Sequence, residues 1–422
     1  LLPIVLRVIL AAICGASSLV AQSAPARPQP EMPTPAGRIV DSIGFNTHWN
    51  ATDSPYYRDF PRVSRLLFES GVRHARDGDD NPGYVGTTIG ANYRTVMAHG
   101  ITLSIFAPHA QPAAETFARI AQVVPNALFI EPDNEGDCSL GPSWTSTLRG
   151  WQPELYARVK RSARPNLLVL GPSLCNGLKN ASALGDLSAY MDAGNAHWGA
   201  TVDHESYPGS DDCCNQAALV RAMATVSGTK PLWISETAYD SNLSNGDGVP
   251  NDVAMKYAPR LVLINHQYRV PYTFFYELSD MPAEGAQFGQ LGFVDASGNP
   301  KPQYNAIKSM TSLLADRGPA FTPDPLSWSL SGSTANVRHA LLQRSDGSRW
   351  LLLWIEASGW NVGAKSRIVV PPQAVNVVLA TAPSAVTKYT YNPDGTTTAA
   401  RLQPSTSIPL TVTDSITFLR IR

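Results

Sequence analysis

The chain has 422 residues, with 33 basic and 34 acidic side chains and a formal charge of −1. This balance excludes the basic surface that tracking a phosphate backbone requires, and it favours a neutral or locally charged ligand. The length suits one α/β barrel of about 250 residues with an appended module of roughly 100.

The first residues, Leu1 to Cys14, form an apolar stretch interrupted by Arg7 and followed by small residues near Ala21-Gln22-Ser23-Ala24. This is the pattern of a secretory signal peptide, expected over 1–24, and its clean apolar run is shorter than the ~20 residues a membrane span needs. A secreted or periplasmic protein without stable membrane insertion follows as the expectation. Residues 25–38 are proline-rich and read as an extended linker, with ordered structure beginning near Arg38.

From there strands and helices alternate. Ile43 to Asn46 reads as a strand, Phe60 to Ser70 as a helix closed by Gly71, Val72 to Arg76 as a second strand, and Tyr93 to Ala98 as a helix stopped by Gly100. Ile101 to Ala107 and Ala113 to Val123 repeat the pair. The fourth strand is Leu128-Phe129-Ile130, running straight into Glu131-Pro132-Asp133-Asn134-Glu135-Gly136-Asp137, and the helix after it covers Pro153 to Ser162. Leu167 to Leu170, Ala200 to His204, Leu232 to Ser235 and Tyr272 to Tyr276 supply strands five to eight. The intervening and final helices lie at Leu187 to Ala193, Gln216 to Val226, Val253 to Gln267 and Tyr304 to Ala315. This order is that of a (β/α)8 TIM barrel over residues 39–318. A doubly wound open sheet would carry a glycine-rich turn after its first strand, and none is present.

After Arg317-Gly318-Pro319 short alternating segments take over, among them Asn336 to Leu341, Trp350 to Ile355, Ile368 to Val370, Val375 to Leu379, Val386 to Tyr391 and Ile416 to Ile421. Residues 319–422 therefore read as a small antiparallel β-sandwich, structural or carbohydrate-binding. Beyond the leader four cysteines remain, Cys138, Cys175, Cys213 and Cys214, all near loops that follow predicted strands. Two disulfides are expected, with open connectivity. A zinc site is disfavoured, because no Cys-x-x-Cys pair or histidine lies at ligand spacing.

Two strand ends carry the chemistry. Asn134-Glu135 closes strand four and Ile234-Ser235-Glu236 closes strand seven. In order and spacing these resemble the acid/base and nucleophile motifs of clan A retaining glycoside hydrolases, most closely the family 39 enzymes, in which a small β-sandwich follows the barrel. The stretch from Gly292 to Tyr304 is similar to the segment with which such enzymes enter their last helix. The resemblance implies Glu135 as acid/base and Glu236 as nucleophile, Asn134 as the residue that bonds a sugar hydroxyl, and Arg76 as the cation that keeps the nucleophile ionised. It also places His204 and Tyr207 against the nucleophile. Glu135 would then need a raised pKa, with Glu236 as one cause.

Glu131 and Asp133 share a side of the extended segment with Glu135 and read as supports. Asn46, His48, Trp49, His109, Trp144 and Tyr276 are candidates to line a sugar subsite, the aromatic rings by stacking on sugar faces. The eighth strand departs from the clan pattern: it ends Phe274-Phe275-Tyr276-Glu277, so Tyr276 stands where many members have tryptophan, and Glu277 adds a carboxylate. The implied protein is a monomeric glycosidase acting on carbohydrate, with no nucleic-acid partner, no cofactor and no metal. The rival from another class is a non-catalytic carbohydrate-binding protein on the same barrel, favoured if Glu135 and Glu236 lie far apart or Arg76 points away. A serine or zinc hydrolase is disfavoured, since Ser235 lacks a Gly-x-Ser-x-Gly elbow and no His-Glu-x-x-His motif occurs.

Overall fold

The computed structural model describes residues 27–79, 84, 86–109, 124–199, 208, 216–245 and 248–422. The expected leader, the helix at 113–123, the strand at 200–204, and Cys213 and Cys214 lie outside them. Among the described residues no helix is long and apolar enough to cross a membrane.

Two short strands come first, β1 (Gln29–Glu31) and β2 (Thr34–Pro35). The barrel strands follow as β3 (Ile43–Asn46), β4 (His74–Asp79), β5 (Thr102–Phe106), β6 (Phe129–Glu131), β7 (Leu168–Val169), β8 (Gly194–Gly199), β9 (Leu232–Ala238) and β10 (Thr273–Phe275). They form one parallel sheet in the order β7-β6-β5-β4-β3-β10-β9-β8. A parallel bridge between Leu170 and Ala193, just beyond β7 and just before β8, joins the two ends and closes the ring. The chain is thus a (β/α)8 barrel followed by antiparallel sheets.

The lower barrel is filled by Phe129, Leu170, Ala193, Trp233 and Phe274. Gly44 is required there, since a Cβ at that position would lie 2.2 Å from the Phe274 ring. Towards the C-terminal strand ends the filling turns polar, with Asn46, Arg76, Glu131, Asn195 and Ser235 all buried. A TIM barrel keeps its chemistry at that face, and this polar layer is its floor.

Two expectations change. The sixth strand is Gly194–Gly199, several residues before the predicted segment, and the residues ahead of it form a helix at Gly177–Leu184 and a single 3₁₀ turn at Ser188–Tyr190. The proline-rich segment is not a free linker. β1 pairs antiparallel with β11 (Leu326–Gly332), and β2 pairs parallel with β12 (Val337–Gln343). Both occupy sheet edges, where proline, lacking an N–H, is tolerated.

The remaining strands are β13 (Arg349–Ile355), β14 (Trp360–Asn361), β15 (Ser366–Arg367), β16 (Gln373–Leu379), β17 (Val386–Tyr391), β18 (Thr397–Leu402), β19 (Ser407–Val412) and β20 (Thr417–Ile421). β14 and β15 pair with each other, and the rest complete a four-stranded sheet, β1-β11-β16-β19, and a six-stranded sheet, β18-β17-β20-β13-β12-β2. Leu341, Leu351, Leu353, Val377, Val412 and Leu419 fill the space between them. The opposite face of β13, with Trp350, Leu352 and Trp354, joins the barrel core.

Candidate active site

Arg76, at the end of β4, is the hub of the site. Its Nη1 donates to Glu236 Oε1 at 2.6 Å and to Asn46 Oδ1 at 2.8 Å, its Nη2 donates to Asn134 Oδ1 at 2.7 Å, and its Nε donates to Glu131. Five guanidinium N–H groups in a rigid fork suit such a junction. Glu131, fully buried, also accepts from Asn195 and from the Ser235 hydroxyl at 3.1 Å. It is a structural anion that holds Arg76 from below.

Glu236 reaches the interior through an irregularity in β9. Against β8 the partners step from Ala196↔Ile234 to His197↔Glu236, and against β10 from Thr273↔Ile234 to Phe275↔Thr237. One residue is therefore in excess on β9, a bulge beside the site. A regular strand sends neighbours to opposite faces, but here Ser235 and Glu236 both bond interior groups.

Glu135 lies at the end of β6 in a left-handed conformation, φ 46° and ψ 52°, starting a short helix at Gly136–Ser139. Cys138 is disulfide-bonded to Cys175, and Asp137 accepts from the backbone N–H groups of Cys175 at 2.8 Å and Asn176 at 3.1 Å. These ties fasten the Glu135 loop to the loop after β7.

The two carboxylates meet around a histidine absent from the sequence-based expectations. His197, on β8, places Nδ1 2.8 Å from Glu135 Oε1 and 3.6 Å from Glu236 Oε2, with Nε2 3.0 Å from Ser235 Oγ. Since the Ser235 hydroxyl donates to Glu131, both ring nitrogens donate, the pattern of a protonated imidazole. One oxygen each of Glu135 and Glu236 and a nitrogen of His197 lie within 4.8 Å of one another.

The electrostatics follow. Burial opposes charge on Glu135, but the hydrogen bond and charge of His197, with Arg76 beyond, outweigh it and hold this carboxyl below the usual range. The expectation of a raised pKa for Glu135 is therefore corrected, with His197 as the reason. Burial pushes Glu236 up, His197 and Arg76 offset part of this, and Glu135 and Glu131 add to it. His197 would lose its proton through burial alone, yet Glu236 and Glu135 raise its pKa. Glu135, His197 and Glu236 are also a donor set able to ligate a divalent cation. The Arg76 charge bonded to Glu236 works against a second cation there.

In fold, the chain is similar to several solved enzymes. A family 39 glycoside hydrolase from Bacteroides cellulosilyticus has a TM-score of 0.62 at 13% identity, over 91% of this chain and 82% of that one. A GH51 arabinofuranosidase from Xanthomonas axonopodis pv. citri has a TM-score of 0.60 at 12% identity, over 94% and 98%. A glucosidase from Croceicoccus marinus has a TM-score of 0.56 at 11% identity, over 85% and 91%. The shared feature is the (β/α)8 barrel fold. No family model and no curated protein matches the sequence.

The other expected residues divide. Asn46 lies in the hub, where its amide also donates to the Ser235 carbonyl at 2.9 Å. Tyr276 stands beyond β10, its hydroxyl donating to Glu284 Oε1 at 3.0 Å and its ring edge-on to His48. Trp49 is fully buried and packs edge-to-face on Tyr56 and Phe60, so it has no face for a sugar and its place as a subsite aromatic is corrected. His109 pairs with Asp133 at 2.7 Å near the rim. Glu277 is sealed under the site, accepting from Tyr56 at 2.9 Å. His204 and Tyr207 lie outside the described residues.

Proposed function

We propose that this protein is a retaining O-glycoside hydrolase in which Glu236 attacks the anomeric carbon and Glu135 handles the proton. The observation that carries this reading is the meeting of Glu135 and Glu236 within 4.8 Å. Retaining enzymes hold their carboxyl groups ~5–5.5 Å apart, whereas inverting ones need ~6.5–9.5 Å to admit a water. The fold shared with glycoside hydrolases of families 39 and 51 supports the same class.

Arg76 keeps Glu236 ionised, so the free Oε2 can attack while the glycosidic bond breaks. The departing oxygen takes the one proton that the Glu135–His197 pair holds, passed from His197 along the 2.8 Å hydrogen bond through Glu135, which is left ionised beside a neutral imidazole. A water then attacks the glycosyl-Glu236 ester and gives its proton to Glu135, and the ester bond breaks to restore Glu236. Asn134, oriented by Arg76, is placed to bond a sugar hydroxyl beside the reacting carbon. The rival reading, a non-catalytic carbohydrate binder, would be favoured by distant carboxylates or an averted Arg76, and it has the support of neither. The apolar leader and the Cys138–Cys175 disulfide support export to an oxidising compartment.

Glu236→Gly is expected to abolish turnover and to be partly rescued by azide with inversion of the product. Glu135→Ala is expected to slow deglycosylation while sparing aryl glycosides with good leaving groups. Undiminished activity in either variant overturns the assignment.

A further inference from the structure

Resting on the glycosidase reading, one wall of the site carries information about the sugar. It is built from His48 after β3, Tyr276 after β10, and Glu284 on the following 3₁₀ turn at Pro282–Glu284. Tyr276 is anchored beside the nucleophile strand, its N–H donating to the Thr237 carbonyl at 2.7 Å. Thr237 directly follows Glu236, and the Tyr276 hydroxyl reaches Glu284, so the pair stands beside the reacting centre.

Glu284 is half-buried and accepts from Tyr276 on both oxygens, at 3.0 and 3.3 Å. Burial raises its pKa, the Tyr276 hydrogen bond offsets part of this and the charge of Glu236 adds to it, and Glu284 forms no ion pair among the described residues. A carboxylate withdrawn from water without a cation is costly unless donors arrive from elsewhere. Its remaining lone pairs accept and cannot donate, and two neighbouring hydroxyls of a pyranose or furanose ring match a carboxylate edge.

The cations near the centre are occupied. Arg76 serves Glu131, Glu236, Asn46 and Asn134, His197 lies between Glu135 and Glu236, and Lys301 is paired with Asp280 at 2.7 Å. His48 is neutral at physiological pH, since burial and the Arg76 charge lower its pKa to about 4. Its Nε2 makes no hydrogen bond, the nearest acceptor being Glu277 at 3.4 Å. A carboxylate on the incoming sugar would find no cationic partner among the described residues of this wall and would face Glu284 directly. We propose that the sugar seated over Glu236 is neutral, that two of its adjacent hydroxyls donate to Glu284, and that uronic acids are excluded by the same carboxylate.

The test compares 4-nitrophenyl glycosides of neutral hexoses and pentoses with the glucuronide, using wild type, Glu284→Gln and Glu284→Asp. Wild type is expected to turn over at least one neutral glycoside about 100-fold faster, in kcat/KM, than the glucuronide. Glu284→Gln is expected to lose about 10- to 100-fold on that neutral glycoside, the range for removing a charged hydrogen bond. That loss should vanish on the monodeoxy substrate lacking the contacted hydroxyl, with Glu284→Asp intermediate and thermal midpoints unchanged. Glucuronide turnover within tenfold of the neutral substrate, or an equal loss on every deoxy analogue, overturns the specificity role while leaving the glycosidase reading intact. Failure of a 2-deoxy-2-fluoro glycoside to label Glu236, with no aryl glycoside turned over, removes both.

Discussion

His197 Nδ1 lies 2.8 Å from Glu135 and 3.6 Å from Glu236, so removing its ring takes one cation from both carboxylates. Under the proposed mechanism the working proton belongs to the Glu135–His197 pair, and the alkaline limb of kcat/KM reports its loss at the raised pKa of His197. In His197→Gln that proton must rest on Glu135 alone, so the limb should move to lower pH by a unit or more, read from a pH–rate profile. The stability linkage has two signs. The raised His197 pKa gives stability that is complete below 6.5 and lost as pH rises through the folded value. The lowered Glu135 pKa gives stability that is complete above 4.5 and lost as pH falls through the folded value. The gap in thermal midpoint between wild type and His197→Gln should therefore be widest between about pH 4.5 and 6.5. Glu135, Glu236, Arg76, Asn46 and Asn134 were legible because each closes a short apolar or alternating run. His197 was not, because Asn195 and His197 turn polar side chains into the barrel and leave no apolar period to read.

At the scale of elements, the bulge in β9 aims Glu236. Deleting Ser235 would restore the ladder, draw Glu236 back into the interior place of Ser235, one residue deeper than its wild-type position, and remove the Ser235 bridge between His197 and Glu131. The expected product is folded by circular dichroism and inactive towards aryl glycosides. The loop carrying Glu135 depends on its ties, because a non-glycine residue in the left-handed region costs about 1–3 kcal/mol unless its surroundings enforce it. The Cys138–Cys175 bond closes a loop of sequence separation 37, for which chain entropy gives about 3–4 kcal/mol. Cys175→Ser should lower the thermal midpoint, and reductant should lower that of wild type but not of the variant. Neither device has a sequence signature: a bulge is a mismatch between two strands, and Cys138 offered three candidate partners.

The barrel and the sandwich are joined by buried charge as well as apolar surface. Arg260, on the helix at Asn251–Gln267, is fully buried against Glu356 and donates to the carbonyls of Asp414 at 3.2 Å and Ala357 at 3.1 Å. Glu356→Ala would leave that guanidinium without its carboxylate and should cost about 3–5 kcal/mol in denaturant unfolding. Trp360 Nε1 donates to the Gly248 carbonyl at 3.1 Å and Lys365 to that of Leu243 at 2.8 Å, so the sandwich also supports the loop after the nucleophile strand. Element order made the barrel readable, since a period of strand and helix survives errors in any one boundary. The proline-rich segment was misread because composition describes a chain's stiffness and not its neighbours. Its position has a further consequence. β1 completes one sheet of the sandwich and β2 the other, so residues ahead of the barrel are the outer staves of a domain whose remaining strands follow the barrel. The barrel is thereby strung between two halves of a clasp that can shut only after β11 and β12 have left the ribosome. A polypeptide beginning at residue 319 would carry two bare edges and be prone to join its own copies.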